Sequence, residues 1–461
     1  MTSPLSVVIL AAGLGTRMKS KRAKVLHRAG GLSLIEHVVR AAAGITTGEH
    51  ITVVVGHEAE RVKNVLAPLG ARHAEQTDQK GTGHALMICR AALESEGGLV
   101  LVLYGDCPLI SQATLMDLVR RQASSPAAAT VITTRLDDPT GYGRIVLGEG
   151  GEVQAIVEEK AATPEQRRIQ LVNSGIYCFR AGLLWKYLSE IKPDNPAHEY
   201  YLTDIVEILN RAGHKVHALE IADAKELLGI NTRVELAEVD KIFRERKTRE
   251  LMLAGVTIEK PETVTIDGGV YIGSDSIVEP FAQILGNAAI GSDCRIGACS
   301  IVQNSKLADG VEVAPFTYVA DSNVESGARI GPFARLRGGN RVGAGAHIGN
   351  FVELKNTKFA AGAKANHLAY LGDSEIGERV NIGAGTITCN YDGAQKHRTV
   401  VGKDVFVGSN STLVAPLELG DGSYVGAGSV ITDPVPPDAL ALGRARQVVK
   451  EGWAAKKRKK K

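Results

Sequence analysis

The chain has 461 residues, more than one hydrophobic core ordinarily organises, so two or more domains are expected. Its formal charge is +3, but residues 456–461 carry +6 and leave the rest mildly acidic, which excludes a nucleic-acid footprint spread over the body. Six scattered cysteines (Cys89, Cys107, Cys178, Cys294, Cys299, Cys389) form no CxxC pair, no run reaches the ~20 apolar residues of a membrane span, and the first residues lack a signal-peptide pattern. The expected compartment is a reducing cytoplasm, with neither disulfides nor a metal framework.

In chain order, residues 5–10, 51–55 and 99–103 are apolar runs without polar alternation, as in strands buried on both faces of a parallel sheet. Ser33 can cap a helix over 34–43, with Glu36 three residues on completing a capping box. Further helices are predicted over 58–67 and 85–93, and strands over 128–133, 143–146, 153–157 and 171–179. Strand and helix in alternation read as an α/β domain over 1–233. Residues 234–254 carry Val239, Ile242, Phe243 and Arg246 at helical spacing and stop at Gly255, so they read as a connecting helix. A second domain is expected over 255–450 and a basic, disordered tail over 451–461; the tail's charge is a solvated end or an attraction for an anionic ligand or surface.

From about residue 264 an aliphatic residue recurs every sixth position. One run is Ile272, Val278, Ile284, Ile290, Ile296, Val302; others are Val324 to Leu354 and Val401 to Ile431, with Ile376 and Ile382 between. Most of the 51 glycines crowd here, often just after the aliphatic residue. This period fits a solenoid of flat strands and tight corners, three hexapeptides to a coil. About 170 residues give roughly nine or ten coils, a prism ~45 Å long at ~4.8 Å per coil. The repeat alone is also compatible with a rigid spacer or trimerisation scaffold. Residues 358–374 and 389–398 break the period and are polar, and loops set into a rigid solenoid are natural places for function.

The segment from Leu10 through Ala11, Ala12, Gly13, Leu14, Gly15, Thr16 and Arg17 to Met18 follows the first strand, where small residues let a nucleotide approach the backbone and N–H groups face phosphate. Met18 replaces the third glycine of a dinucleotide fingerprint, and no GK[ST] follows as in a P-loop. Arg17 and Lys24 add cations for a triphosphate; Gln76 and Gly81-Thr82-Gly83 follow the second apolar strand, where a base or ribose can be read. Asp106 ends the third run in Tyr104-Gly105-Asp106, at the sheet edge where α/β ligands bind; a lone Asp there is as often a turn or cap residue.

These segments resemble the sugar-1-phosphate nucleotidyltransferases. Within them the chain is similar, over roughly residues 5–450, to the bifunctional N-acetylglucosamine-1-phosphate uridylyltransferase / glucosamine-1-phosphate acetyltransferase family of bacterial cell-wall synthesis. The resemblance implies a Rossmann-like nucleotidyltransferase domain followed by a left-handed parallel β-helix, with UTP and acetyl-CoA as co-substrates. Leu10, Ala11, Ala12, Gly13, Lys24, Gln76, Gly81 and Thr82 would contact the uridine nucleotide, and Arg17 its triphosphate. Asp106 and Asn231 would bind Mg²⁺; Gly143, Glu158 and Asn173 would hold the N-acetylglucosamine moiety, with Tyr104 shaping that pocket.

In the second domain His367, in the first interruption, would be the general base of acetyl transfer, although a lone surface histidine is usually only solvated. Glu353 is either its orienting partner or a coil-edge carboxylate. Arg337 and Lys355 suit the phosphate of glucosamine-1-phosphate; Tyr370 and Asn381 would contact the sugar, and Ala384, Asn390, Tyr391, Ser409, Ala427 and Arg444 would line the acetyl-CoA site. The family also implies a homotrimer. Two other designs share parts of the pattern. A single-activity nucleotidyltransferase with a regulatory or structural β-helix is opposed by His367, Tyr370 and the turn from Asn390 to Gly393; a non-catalytic assembly subunit is opposed by the set Arg17, Lys24, Asp106 and Asn231.

Overall fold

A computed structural model describes residues 4–195 and 198–458. The chain divides into two compact units, Met1–Phe243 and Arg244–Lys461. The division falls inside the helix Arg233–Leu253, one residue longer at its start than its apolar spacing suggested.

The first unit is built on a seven-strand path ordered Val216–Glu220, Ala129–Arg135, Leu171–Arg180, Leu99–Tyr104, Leu5–Leu10, Ile51–Val55, Arg72–Glu75. Leu5–Leu10 lies between Ile51–Val55 and Leu99–Tyr104 and runs parallel to both. Along it Val8 and Leu10 join one core, with Val100, Val102, Trp185 and Leu209, while Val7 and Ile9 join another, with Val38, Leu101 and Leu118. Both faces are covered, so the strand has no polar side to alternate. The sheet is mixed rather than purely parallel. Leu171–Arg180 runs antiparallel to both neighbours, and its register to Ala129–Arg135 shifts between Asn173 and Tyr177. The hairpin of Arg144–Leu147 and Val153–Val157 joins it where Val172 pairs with Arg144. The helix Leu34–Ala43 carries the expected capping box: Ser33 Oγ accepts from the Glu36 N–H and Glu36 accepts from the Ser33 N–H. A smaller cluster of Met18, Ala29, Leu34, Leu109, Ile230 and Val239 packs the start of the long helix against the glycine-rich loop, which delivers Asn231 to the site.

In the second unit the hexapeptide period becomes three sheets of 11, 10 and 9 parallel strands, each strand pairing with the third strand after it until the last pairing, where Tyr424–Val425 meets Leu440–Ala441, the second strand after it. This is the left-handed parallel β-helix expected. Ile284, Val302, Val319, Leu336, Leu354 and Leu371 form one inward column, all fully buried. Residues 358–374 do not form the loop that the sequence suggested. They are in-register coil, with strands Lys358–Phe359, Lys364–His367 and Tyr370–Gly372. Phe359, Ala365 and Leu371 take the inward places, and the Cα partners Val342/Phe359 and Phe359/Ile376 are 17 residues apart. An aromatic and an alanine, on coils of 17 residues, hide the period. The second interruption is real, because Ile376 pairs with Val401, 25 residues on. Corner residues repeatedly take left-handed φ, and exposed Phe316, Phe333 and Phe351 stack there with centroids 5.0 and 5.4 Å apart. In the terminal segment expected to be disordered, Trp453–Arg458 is a short helix without a buried residue; 459–461 lie outside the described residues. No helix among the described residues is long and apolar enough to cross a membrane.

Candidate functional site

At the carboxyl ends of Leu5–Leu10 and Leu99–Tyr104 the chain leaves the sheet twice. The Gly105 N–H donates to Leu10 O at 2.9 Å, which holds the two exits side by side, and the Ala11 N–H donates to Val54 O at 2.9 Å, tying the first exit to Ile51–Val55. Between them lies a cavity of about 440 Å³. It is lined by Leu10, Ala11, Ala12, Gly13, Lys24, Gln76, Gly81, Thr82, Tyr104 and Asp106 of the anticipated set. Gln79 and Glu199 line it too, and nothing in their sequence surroundings marked them.

Gln76 is buried, and its Nε2 donates to Gly81 O at 3.2 Å and to His84 Nδ1 at 3.0 Å, fixing the carboxamide. Gly81 has φ +102°, and a Cβ there would stand 2.7 Å from Tyr200 O. Only glycine permits that approach. The Gly83 N–H donates to Tyr200 O at 2.7 Å, the Tyr200 N–H to Lys80 O at 2.8 Å and the Leu202 N–H to Thr82 Oγ1 at 3.0 Å. A clasp 120 residues long in sequence therefore shapes this wall, and it starts the helix at Thr82 rather than at residue 85.

Arg17, Lys24, Asp106 and Asn231 converge at the cavity's polar side. Lys24 Nζ forms an ion pair with Asp106 and donates to Asn231 Oδ1 at 3.2 Å; an Arg17 N–H donates to that same oxygen at 2.7 Å. The Asn231 and Thr232 N–H groups donate to Glu235 at 2.6 and 2.7 Å, and the Ile230 N–H donates to Asp106 O at 3.0 Å. No group of three or more His, Cys, Asp or Glu suited to a metal occurs among the described residues. The oxygens gathered there are the Asp106 carboxylate and the Asn231 amide, a hard and sparse set of the kind Mg²⁺ uses when phosphates complete its shell, each engaged by a cationic side chain.

Gly143, Glu158 and Asn173 also meet. The Asn173 N–H donates to Gly143 O at 2.9 Å, and a Cβ on Gly143 would lie 3.6 Å from Glu158 Oε1. Asn173 Oδ1 accepts from the Gly175 N–H at 2.9 Å and from Tyr177 Oη at 3.1 Å, so the bulge in Leu171–Arg180 aims this side chain. Burial, then the charge of Asp204, raises the Glu158 pKa above the ordinary carboxylate value. Tyr104, its phenol pKa raised by burial, packs over Gly175 beside this group. Arg144, fully buried, ties the neighbouring Glu159 at 2.7 Å.

In the β-helix His367 ends the strand Lys364–His367 and is exposed. Its Nδ1 lies 2.7 Å from Asn350 Oδ1, on the strand position it pairs with in the coil before. An amide oxygen accepts, so Nδ1 carries the proton and the lone pair falls on Nε2. Glu353 is not its partner: it takes Arg337 Nε at 2.6 Å and has Arg335 at 3.7 Å. Asn350 was not anticipated, since register rather than sequence proximity pairs it with His367.

Arg337 and Lys355 are Cα partners on adjacent coils. Lys396, from the true insertion, faces Lys355, whose proximity lowers the Lys396 pKa. The repulsion marks Lys396 as a third cation that the sequence did not single out. Asp373 accepts from Asn356 at 2.7 Å and from Asn390 at 2.6 Å, tying the insertion to the coils, while Tyr370 Oη and Asn390 Nδ2 converge over Gly372. Asn381 pairs with Lys364 at the start of the next strand of the His367 sheet. Ala384, Ser409 and Ala427 occupy successive corners of one column, joined by the Asn410 N–H to Ala384 O (2.7 Å) and the Gly428 N–H to Ser409 O (2.8 Å). Tyr391 is exposed and donates to Gly393 O at 2.6 Å; Arg444 lies on exposed chain beyond Leu440–Ala441.

Comparison with known proteins agrees with this division. Residues 6–225 match the family described as Nucleotidyl transferase, residues 269–304 the Bacterial transferase hexapeptide (six repeats), and residues 398–433 the Hexapeptide repeat of succinyl-transferase. The chain is 61% identical to the Bifunctional protein GlmU of Solibacter usitatus over 459 residues, covering 100% of this chain and 98% of the relative. It is 52% identical to that of Koribacter versatilis, covering 98% and 97%, and 46% identical to that of Brevibacillus brevis, covering 98% of each. With a nucleotidyltransferase fold, a hexapeptide β-helix and near full-length identity of this order, the chain belongs to the bifunctional GlmU family of transferases.

Proposed function

We propose that the second unit acetylates glucosamine-1-phosphate with acetyl-CoA, and that the first unit joins the resulting N-acetylglucosamine-1-phosphate to UMP from UTP, giving UDP-N-acetylglucosamine. The observation that carries the reading is the convergence of Arg17, Lys24, Asp106 and Asn231 beside a cavity edged by the glycine-rich loop. A sugar-phosphate oxygen attacks the α-phosphorus in line; the new O–P bond forms as the bond to pyrophosphate breaks. Such chemistry asks for positioning and neutralisation of charge more than for a covalent partner. Arg17 and Lys24 supply fixed cations, Gln76 and the Gly81-Thr82 clasp hold the nucleoside, and Gly143, Glu158 and Asn173 hold the sugar. Asp106 and Asn231 would hold Mg²⁺, which when bound supplies further neutralisation on the phosphates.

In acetyl transfer the amino nitrogen attacks the thioester carbonyl, the C–N bond forms, the C–S bond breaks and coenzyme A thiol leaves. His367 Nε2 takes the nitrogen's proton and hands it to the departing sulfur. Arg337, Lys355 and Lys396 grip the sugar phosphate, Tyr370 and Asn381 face the sugar, and the small corners at Ala384 and Ala427 leave room for a pantetheine arm, with Ser409, Asn390, Tyr391 and Arg444 along its course.

The active assembly in this reading is a homotrimer with prisms side by side. Its support is the exposed ladder of Phe316, Phe333 and Phe351, since Phe351 directly follows Asn350 and Leu368 directly follows His367. The test mixes the full chain with glucosamine-1-phosphate, acetyl-CoA, UTP and Mg²⁺, and follows thiol and pyrophosphate separately. Asp106→Ala should abolish pyrophosphate release by roughly 10²-fold or more while thiol release persists; equal loss of both in a folded variant rejects the assignment.

A further inference from the structure

The quartet at the nucleotide cavity is not arranged to receive a bare cation. Both protein oxygens read above as metal donors are already taken by cationic side chains. Lys24 Nζ pairs with Asp106 and reaches Asn231 Oδ1 at 3.2 Å, and Arg17 reaches Asn231 Oδ1 at 2.7 Å. The other Asp106 oxygen faces the Cys107 thiol at 3.8 Å. Glu235 is turned to the backbone N–H groups of Asn231 and Thr232 at 2.6 and 2.7 Å. Two cations and one carboxylate leave the quartet's side chains with net positive charge.

We infer that Lys24 is a resident counter-ion at the metal position: it keeps a bare divalent cation out of the free protein and releases Asp106 only when a polyphosphate arrives, so that metal and nucleotide enter together. The inference rests on the reading of Asp106 and Asn231 as metal donors. One carboxylate cannot hold an ammonium and a divalent ion in the same contact, and like charges repel strongly where water is scarce. The Lys24 and Asp106 side chains are only 15% and 16% exposed. A polyphosphate reverses the local sign and offers Lys24 another anion. The lysine can follow it, because its compact charge rides on a flexible stem. Gly15 confines the motion to the outer atoms, since a Cβ on Gly15 would stand 2.7 Å from Lys24 Cβ. Lys24 and the loop it packs against both line the cavity where a triphosphate would lie.

The test titrates Mn²⁺ into the full chain without nucleotide and reads free Mn²⁺ by electron paramagnetic resonance. Lys24→Gln, with Lys24→Met as a second neutral substitution, should tighten Mn²⁺ binding about 10-fold or more. Lys24→Arg should not, and adding Asp106→Asn to Lys24→Gln should erase the gain. Unchanged or weaker binding in the neutral variants overturns the inference, as does a gain that survives Asp106→Asn or appears equally in Lys24→Arg. The first unit's own thermal transition, unchanged in calorimetry, reports that the unit carrying each substitution is folded. The metal reading fails separately, if Asp106→Asn leaves divalent-dependent pyrophosphate release by the otherwise native chain unchanged.

Discussion

Asn350 engages one ring nitrogen of His367, so the fold sets the tautomer that the proposed acetyl transfer would use. His367→Ala should lower acetyl transfer by roughly 10²–10⁴-fold, the usual worth of a positioned base, with uridylyl transfer unchanged. Asn350→Ala should cost less, roughly 5-fold for a bond worth about 1 kcal/mol. Thiol release at saturating substrate distinguishes the two. The proposed sugar-binding role of Glu158 runs against stability. Burial and Asp204 raise its pKa, so the folded state holds the proton more tightly than the unfolded chain does. Stability therefore falls as pH rises through the folded pKa, and the ionised carboxylate is a burden at neutral pH. Glu158→Gln should raise the Tm of the first unit at pH 7, by roughly 2–4 °C if about 1 kcal/mol is relieved. The gain should vanish below the ordinary carboxylate pKa, while KM for N-acetylglucosamine-1-phosphate rises. Thermal melts at pH 4 and 7 check the sign.

The clasp between Lys80–Gly83 and Tyr200–Leu202 makes an element boundary depend on distant chain, because the Thr82 hydroxyl serves the Leu202 N–H and the Tyr200 carbonyl serves the Gly83 N–H. Gly81→Ala places a Cβ against that carbonyl at φ +102°. The strain should cost about 1–3 kcal/mol and raise KM for UTP, leaving acetylation intact; steady-state kinetics of each head measure it. Such dependence explains where the sequence was legible. Ser33 and Glu36 lie three residues apart, so their capping box could be read directly. The helix at Thr82 could not, because the contacts that complete its first turn come from residues 200–202. In the solenoid the inward aliphatics announced each coil, but Phe359 and Ala365 fill inward places with residue types the pattern does not count, and a continuous coil read as a loop. The pairing of Asn350 with His367, and of Lys396 with Lys355, arises from stacking between coils, which a linear reading does not display. Glu353, in sequence either a partner for His367 or a coil-edge carboxylate, is held by two arginines.

Each unit keeps its own hydrophobic clusters. Those containing Val8, Val7 and Met18 lie within Met1–Phe243, and the β-helix column lies within Arg244–Lys461. A core change should therefore act on one transition and one chemistry. Leu336 is fully buried in the column, between Val319 and Leu354 on the adjoining coils. Leu336→Ala removes three carbons from a stack that cannot collapse sideways, because parallel pairing on both sides fixes the coil spacing. A loss of about 2–5 kcal/mol follows from such truncation. The damage should stay in the β-helix: calorimetry should show its transition moved to lower temperature with the first unit's in place. Thiol release should fail at temperatures where pyrophosphate release from N-acetylglucosamine-1-phosphate continues. A single shifted transition carrying both activities down together would mean that the two cores unfold as one, against the separation of their buried contacts.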